Sequence, residues 1–324
     1  MDIGLRLPHG NLDLAALAAR AERLGYASIW ASEVFDEDAF VTLASVAAAT
    51  ERVAVGTAIV NVYSRTPAVL ALAAATLDDV SDGRARLGLG TSTARAVETL
   101  HGQAYDRPVR RTHEAAAIVS RLLGGDEPVS YDGELLSVSE VPPLDADVPL
   151  YNAALGPANR RVTGRLFDGW IPHNIPFPAL GDAFDIVADA AREAGRDPAD
   201  LRVSPYVPTA VAEDEAAARE LLREHVAYYV GSGEGYRRAV AEHFPETAEA
   251  VAERWNAGDR DAARAAVTDE MAAALGVAGT PGTAGERFRA TVDRPVIDEP
   301  QLVIAGRPSA ERARRTVEAV APDG

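Results

Sequence analysis

Val55-Gly56-Thr57-Ala58-Ile59-Val60-Asn61-Val62-Tyr63-Ser64-Arg65-Thr66-Pro67, an alanine-rich run to Val80, and then Ser81-Asp82-Gly83-Arg84-Ala85-Arg86-Leu87-Gly88-Leu89-Gly90 decide the fold. The β-branched residues from Arg52 to Val60 predict a strand, and Pro67 marks the start of a helix. Ser81-Asp82-Gly83 turns the chain, and Arg84 to Leu89 is again a strand. A strand, a helix and a strand of these lengths imply parallel pairing through a right-handed crossover.

The same alternation extends in both directions. Upstream lie a strand at Ile3–Leu7, a helix at Asp13–Gly25 with apolar Leu14, Leu17, Ala18, Ala21 and Leu24, a strand at Tyr26–Ala31 and a helix at Phe40–Thr50. Downstream come a helix at Val109–Leu123, strands at Leu150–Ala153, Gly169–Ile171, Leu201–Ala212 and Leu302–Ile304, and helices at Asn159–Phe167, Pro178–Ala194, Glu213–Tyr229 and Ser309–Val320. Eight such units predict an α/β fold, the (β/α)8 TIM barrel, with an open doubly wound sheet as the alternative. Pro128 to Val138, with Asp132-Gly133 at its centre, reads as a hairpin insertion at about 128–140, and the charged, alanine-rich residues from about 230 to 285 as a helical insertion before strand eight. The reading takes 1–324 as one domain.

The formal charge is −17, from 32 basic and 49 acidic residues, so nucleic acid and anionic lipid are poor partners and a small-molecule substrate is expected. Every basic residue is arginine. That bias suggests a halophilic protein in a salt-rich cytoplasm, or else GC-biased codons. No cysteine is present and no two histidines stand at a metal-ligand spacing, so neither a thiolate nor a metal site is expected. The N-terminus reads as a strand and no apolar run is a membrane span, which suggests a cytoplasmic protein.

In a barrel of this kind the active site lies where strands end. The windows there are His9-Gly10, Ser32-Glu33-Val34, Thr57 to Asn61, Gly90-Thr91-Ser92-Thr93, Gly156-Pro157-Ala158-Asn159-Arg160, His173-Asn174, Tyr206 and Arg307. They are small and poorly charged, which suits a broad planar ligand. Gly88-x-Gly90-Thr91-Ser92 reads either as a phosphate anchor or as a plain turn. Gly156-Pro157-x-Asn159-Arg160-Arg161 reads as an anion site at a helix start, or as a capped helix with solvated arginines. Neither matches a nucleotide fingerprint, which disfavours NAD.

At these windows the sequence resembles the luciferase-like oxidoreductases, in the branch that uses the deazaflavin coenzyme F420 and includes the methylenetetrahydromethanopterin reductases. The likeness runs through Ala21 to Tyr26, Ile29-Trp30, Val55 to Pro67, Ala75 to Arg84, Leu87 to Gly90, Gly156-Pro157 and Phe167 to Trp170. It implies hydride transfer at the deazaflavin, a non-proline cis peptide at Ala58-Ile59 on a bulge behind the ring, a tail phosphate held after strand five, and pairing into homodimers or higher homo-oligomers. Glu33 is the first acid or base candidate, the alternative being a pair with Arg6 or Arg65. His9 and His173 are secondary candidates or polar loop residues, and Asn61 meets the ring's edge or holds its loop. The branch's Asp-His after strand two is Glu33-Val34 here, its strand-one glutamate is Arg6, and no lysine is present for a sugar phosphate. An FMN-dependent monooxygenase and a non-catalytic cofactor-binding barrel are the rival readings.

Overall fold

The computed structural model describes residues 1–322. In chain order the elements are β1 (Gly4–Arg6), α1 (Leu14–Arg23), β2 (Ser28–Ala31), α2 (Ala39–Ala49), β3 (Ala54–Thr57), β4 (Val60–Asn61), α3 (Pro67–Ser81), β5 (Ala85–Gly90), α4 (Ala94–Leu100) and α5 (Pro108–Gly124). A hairpin of β6 (Val129–Asp132) and β7 (Ser137–Val141) precedes β8 (Leu150–Ala153), α6 (Pro157–Leu166), β9 (Gly169–Trp170), α7 (Leu180–Glu193), β10 (Arg202–Val203) and β11 (Tyr206–Val211). Then come α8 (Glu215–Ser232), α9 (Glu234–Ala241), α10 (Pro245–Asn256), α11 (Arg260–Ala266), α12 (Asp269–Leu275), β12 (Val277–Gly279), α13 (Ala284–Val292), β13 (Gln301–Ile304) and α14 (Ala310–Ala319).

The main sheet runs β10-β9-β8-β5-β3-β2-β1-β13-β11-β12, with every pair parallel. Ser204-Pro205 separates β10 from β11, which are two parts of strand seven. Because β10 pairs with β9 and β11 pairs with β13, this strand closes the sheet into a barrel. Strand three is interrupted as well: β3 pairs with β2 and β5, the chain breaks at Ala58-Ile59, and β4 resumes on β5.

Local chemistry sets the helix ends. Asp13, Asp38 and Thr66 accept from the amides of Ala16, Val41 and Val69, while Pro67 occupies the first turn of α3. That helix stops at Asp82, whose φ of 59° is left-handed. Leu5, Ile29, Val55, Leu87 and Leu302 point outward from the strands and pack under Leu43, Leu70 and Ile118 of the helices, all of them fully buried, while Trp30, Tyr151 and Ile171 cluster inside the barrel. Each such side chain contributes about 2 kcal/mol. Gly88 is required by a close approach, since a Cβ there would lie 2.0 Å from the Thr57 carbonyl oxygen.

Residues 230–285 are largely helical, but β12 within them pairs with strand seven and was not anticipated. A second small core joins the insertion to the barrel: Val251 and Met271 of the insertion pack with Leu222 and Val226 of α8, Ala210 of β11 and Ala305 beyond β13. The short helix α4 was also not anticipated.

At the N-terminal end of the barrel, Glu299 accepts from Arg86 at 2.8 and 2.9 Å and from Ser28. Asp2, Asp147, Asp168 and Arg202 join Arg86 and Glu299 around a 520 Å³ depression at that end. It lies opposite the mouth, where (β/α)8 barrels keep stabilising residues. Among the described residues, no helix is long and apolar enough to cross a membrane.

Candidate active site

The break in strand three stands at the C-terminal mouth, and its Ala58-Ile59 peptide is cis. Three contacts fix it. Ala58 donates its amide to the Ala31 carbonyl at 2.7 Å, the Glu33 amide donates to the Ile59 carbonyl at 3.1 Å, and the Tyr206 hydroxyl donates to the Ala58 carbonyl. The Ile59 side chain lies against Gly90, where a Cβ would come within 3.0 Å of it. Ala58, Ile59 and Gly90 therefore form one smooth apolar wall beside Ala153.

Glu33 is committed elsewhere. Its oxygens accept from the two terminal nitrogens of Arg65 at 2.7 and 2.8 Å, and Arg65 also holds Asp38. Of the two readings of Glu33, the geometry places it in the ion pair. Both oxygens act as acceptors, so Glu33 is not arranged as a proton donor. Asn61 holds its loop: it accepts from the Tyr63 amide at 3.0 Å and meets His101 Nε2 at 3.0 Å.

His9 lies half-buried beside Arg6 and Ser32. Arg6 Nη2 approaches His9 Nε2 at 2.8 Å and donates to Ser32 Oγ at 2.5 Å, and Ser32 Oγ is 2.9 Å from His9 Nε2. A guanidinium only donates, so Nε2 accepts and the ring's proton resides on Nδ1. Burial, and then Arg6, push His9 down to about 4. Its ring is neutral at pH 7.

His173 stands in an aromatic cage. Its ring centroid lies 5.0 Å from Tyr206, 4.4 Å from Tyr229 and 5.3 Å from Tyr236, and His225 packs on Tyr229 at 4.9 Å. Burial pushes His173 well below the usual imidazole range and His225 down to about 3. Neither Nε2 has a hydrogen-bond partner. Tyr229 and His225 belong to α8 and Tyr236 to α9, so the helix after strand seven and the start of the insertion together wall this side of the mouth. The strand-end windows include Ser32 and Tyr206 without a role, and His225, Tyr229 and Tyr236 lie outside them. The i, i+4 spacing of His225 and Tyr229 puts both on one helical face, a legible signal.

Gly90 ends β5, so Gly88-x-Gly90 is strand and not a phosphate loop. Thr91 and Ser92 follow, Ser92 with a φ of 57°, and Thr93 caps α4 by accepting from Ala96. After β8, Gly156 is the N-cap of α6 with no side-chain cap, and Pro157 occupies the first turn. Asn159 accepts from Asn152 at 3.3 Å. Arg160 is only 3% exposed, lies 6.0 Å from the Trp170 ring, and leaves Nε and Nη2 without partners. A buried guanidinium with free donors beside an uncapped helix start is chemistry that fits a phosphate. The apolar wall fits a planar ring, so the residues present suit a phosphorylated flavin-type cofactor. Among the described residues, no group of three or more His, Cys, Asp or Glu could hold a metal ion.

A closed parallel barrel with these features at its mouth has the architecture of a (β/α)8 barrel enzyme. The luciferase-like monooxygenase family model matches residues 10–299, and the chain belongs to that family. It is 29% identical to a Mycobacterium tuberculosis protein named "Putative coenzyme F420-dependent oxidoreductase Rv3520c", over 84% of this chain and 86% of that one. It is 28% identical to the 5,10-methylenetetrahydromethanopterin reductase of Methanolobus tindarius, over 95% and 94%. With the F420-dependent hydroxymycolic acid dehydrogenase of M. tuberculosis the identity is 33%, over 67% and 65%. Among solved structures, the coenzyme F420 dependent tetrahydromethanopterin reductase of Methanopyrus kandleri shares the fold, with a TM-score of 0.82 at 24% identity over 98% of this chain and 97% of that one.

Proposed function

We propose that the chain is a coenzyme F420-dependent oxidoreductase that moves a hydride between the deazaflavin and a small organic substrate at the barrel mouth. The observation that carries this reading is the match, across 84% of the chain, to a relative named for that cofactor. When bound, the deazaflavin supplies a ring carbon that takes or gives a hydride. Ala58, Ile59 and Gly90 would back the ring. Gly156, Pro157, Asn159 and Arg160 would hold its tail phosphate, with Thr91 and Ser92 between the two. Arg65 and Glu33 lock the loop after β2, and the Tyr206 hydroxyl supports the bulge from below. His173 and the tyrosines around it exclude water from the reacting centre.

Titration of purified protein with F420 and with FMN, followed through cofactor fluorescence, tests this reading. Saturable binding of F420, with oxidation of its reduced form by a panel of carbonyl and alkene acceptors, is the expected outcome. Binding of FMN alone would establish the monooxygenase alternative, and tight F420 binding without turnover a non-catalytic barrel. We also infer a cytoplasmic, halophilic, dimeric protein of one domain, a reading supported by the charge balance and by exposed Val41, Val69 and Leu72 on α2 and α3.

A further inference from the structure

Arg6 points into the mouth with its charge unanswered. It is 8% exposed, its Nε has no partner, and its hydrogen bonds go to Ser32 and His9. Its guanidinium carbon lies 5.5 Å from the Tyr206 ring centroid, and that hydroxyl completes its contacts. Among the described residues no carboxylate comes within ion-pair distance. Arg65 and Arg86, also largely buried, are held by Glu33 and Glu299. The neighbours of Arg6 are neutral: His9, His173 and His225 are all held below the usual imidazole range. Glu37 feels Arg6, but burial raises its carboxyl and the Gly10 amide is its hydrogen-bond donor. Arg307, near His9, is 79% exposed and paired with Asp36.

A protein of net charge −17 thus keeps Arg6 buried and, among the described residues, without a carboxylate partner, next to the wall where the ring would lie. A buried charge is tolerated when something pairs with it. We infer that the substrate carries a carboxylate, and that Arg6 binds it with the part of its planar donor fork that Ser32 and His9 leave free. A monoanion matches the single positive charge, whereas a phosphate dianion would leave an excess negative charge beside it. The cofactor's own phosphate has Arg160 on the strand-five side. This inference specifies the substrate of the proposed oxidoreductase, and any reaction of the bound carboxylate rests on that reading.

Calorimetric titration of F420-loaded and unloaded protein with acetate, hexanoate and decanoate, against hexanamide and inorganic phosphate, tests it. At least one carboxylate is expected to bind saturably, and hexanamide about tenfold more weakly than hexanoate. Arg6→Gln should weaken carboxylate binding about tenfold or more, and Arg6→Lys by less, because it keeps the charge without the fork. F420 affinity should stay within about twofold. An unchanged near-ultraviolet circular dichroism spectrum checks that each variant is folded; if Arg6→Gln is not, Arg6→Lys decides, since equal binding by it overturns the inference. It is likewise overturned if no carboxylate binds, if phosphate binds with the same Arg6 dependence in their place, or if F420 affinity falls with Arg6→Gln. Arg6-dependent carboxylate binding by protein that takes up no F420 would keep this inference and sink the oxidoreductase reading. F420 turnover without carboxylate binding would do the reverse.

Discussion

Three imidazoles face the barrel mouth, and burial is the main reason that all of them are neutral. Each has a folded pKa below its unfolded value, so the unfolded chain takes up a proton that the native protein refuses. Their contribution to stability is fully present above pH of about 6.5 and is lost as pH falls, toward about 4 for His9 and about 3 for His225. Replacing His225 with Phe should flatten the fall in unfolding free energy between pH 6.5 and 5 by roughly 1 kcal/mol per pH unit, measured by urea denaturation. An unchanged slope would show that His225 is protonated in the native state. Glu33→Gln probes a different contact. Its pair with Arg65 is 8% and 18% exposed, so the change should cost about 3 kcal/mol of stability while leaving the limbs of the pH–rate profile in place. Disappearance of a limb would restore Glu33 as the acid.

Elements outside the barrel are tied down by single side chains. Glu114 on α5 is fully buried, and its carboxylate accepts the amides of Glu134, Leu135 and Leu136 at 2.8 to 2.9 Å as well as Arg110. These donors hold its carboxyl below the usual range although burial opposes them. One carboxylate therefore anchors the turn between β6 and β7. Glu114→Ala should lower stability by about 3 kcal/mol and raise hydrogen exchange at residues 134–136, with little change at the barrel strands. Uniform exchange across the molecule would mean that the hairpin and barrel open together.

For the whole molecule, surplus negative charge and exposed apolar residues set the expectations. Screening at high salt relieves self-repulsion among 49 acidic residues more than it weakens exposed ion pairs, which contribute little individually. The melting temperature is expected to rise by several degrees between about 0.1 M and 2 M KCl in scanning calorimetry. A fall would mean that the ion pairs dominate. Val41 is 71% exposed on α2, and Val69 and Leu72 are 46% and 52% exposed on the adjacent α3. Sedimentation of a dimer that becomes a monomer in the Val41→Glu, Leu72→Glu variant would place the interface there, whereas an unaffected dimer would move it elsewhere.

Strand and helix order and the barrel itself were legible because hydrophobic period and turn residues act over a few positions. The breaks in strands three and seven, and β12, were not, since a ladder's continuity depends on partners far along the chain. The site divides in the same way. The windows at the strand ends could be located from Gly90, Gly156 and His173, and the resemblance carried the bulge at Ala58-Ile59. What each side chain does there was decided by distance in space: Glu33 is claimed by Arg65, the Ala58 carbonyl by a tyrosine 148 residues away, and His173 by rings from α8 and α9. The charge of Arg6 is written in the sequence, but the absence of a carboxylate beside it among the described residues is a property of the folded mouth. Composition assigns charges, and only packing determines which of them are paired.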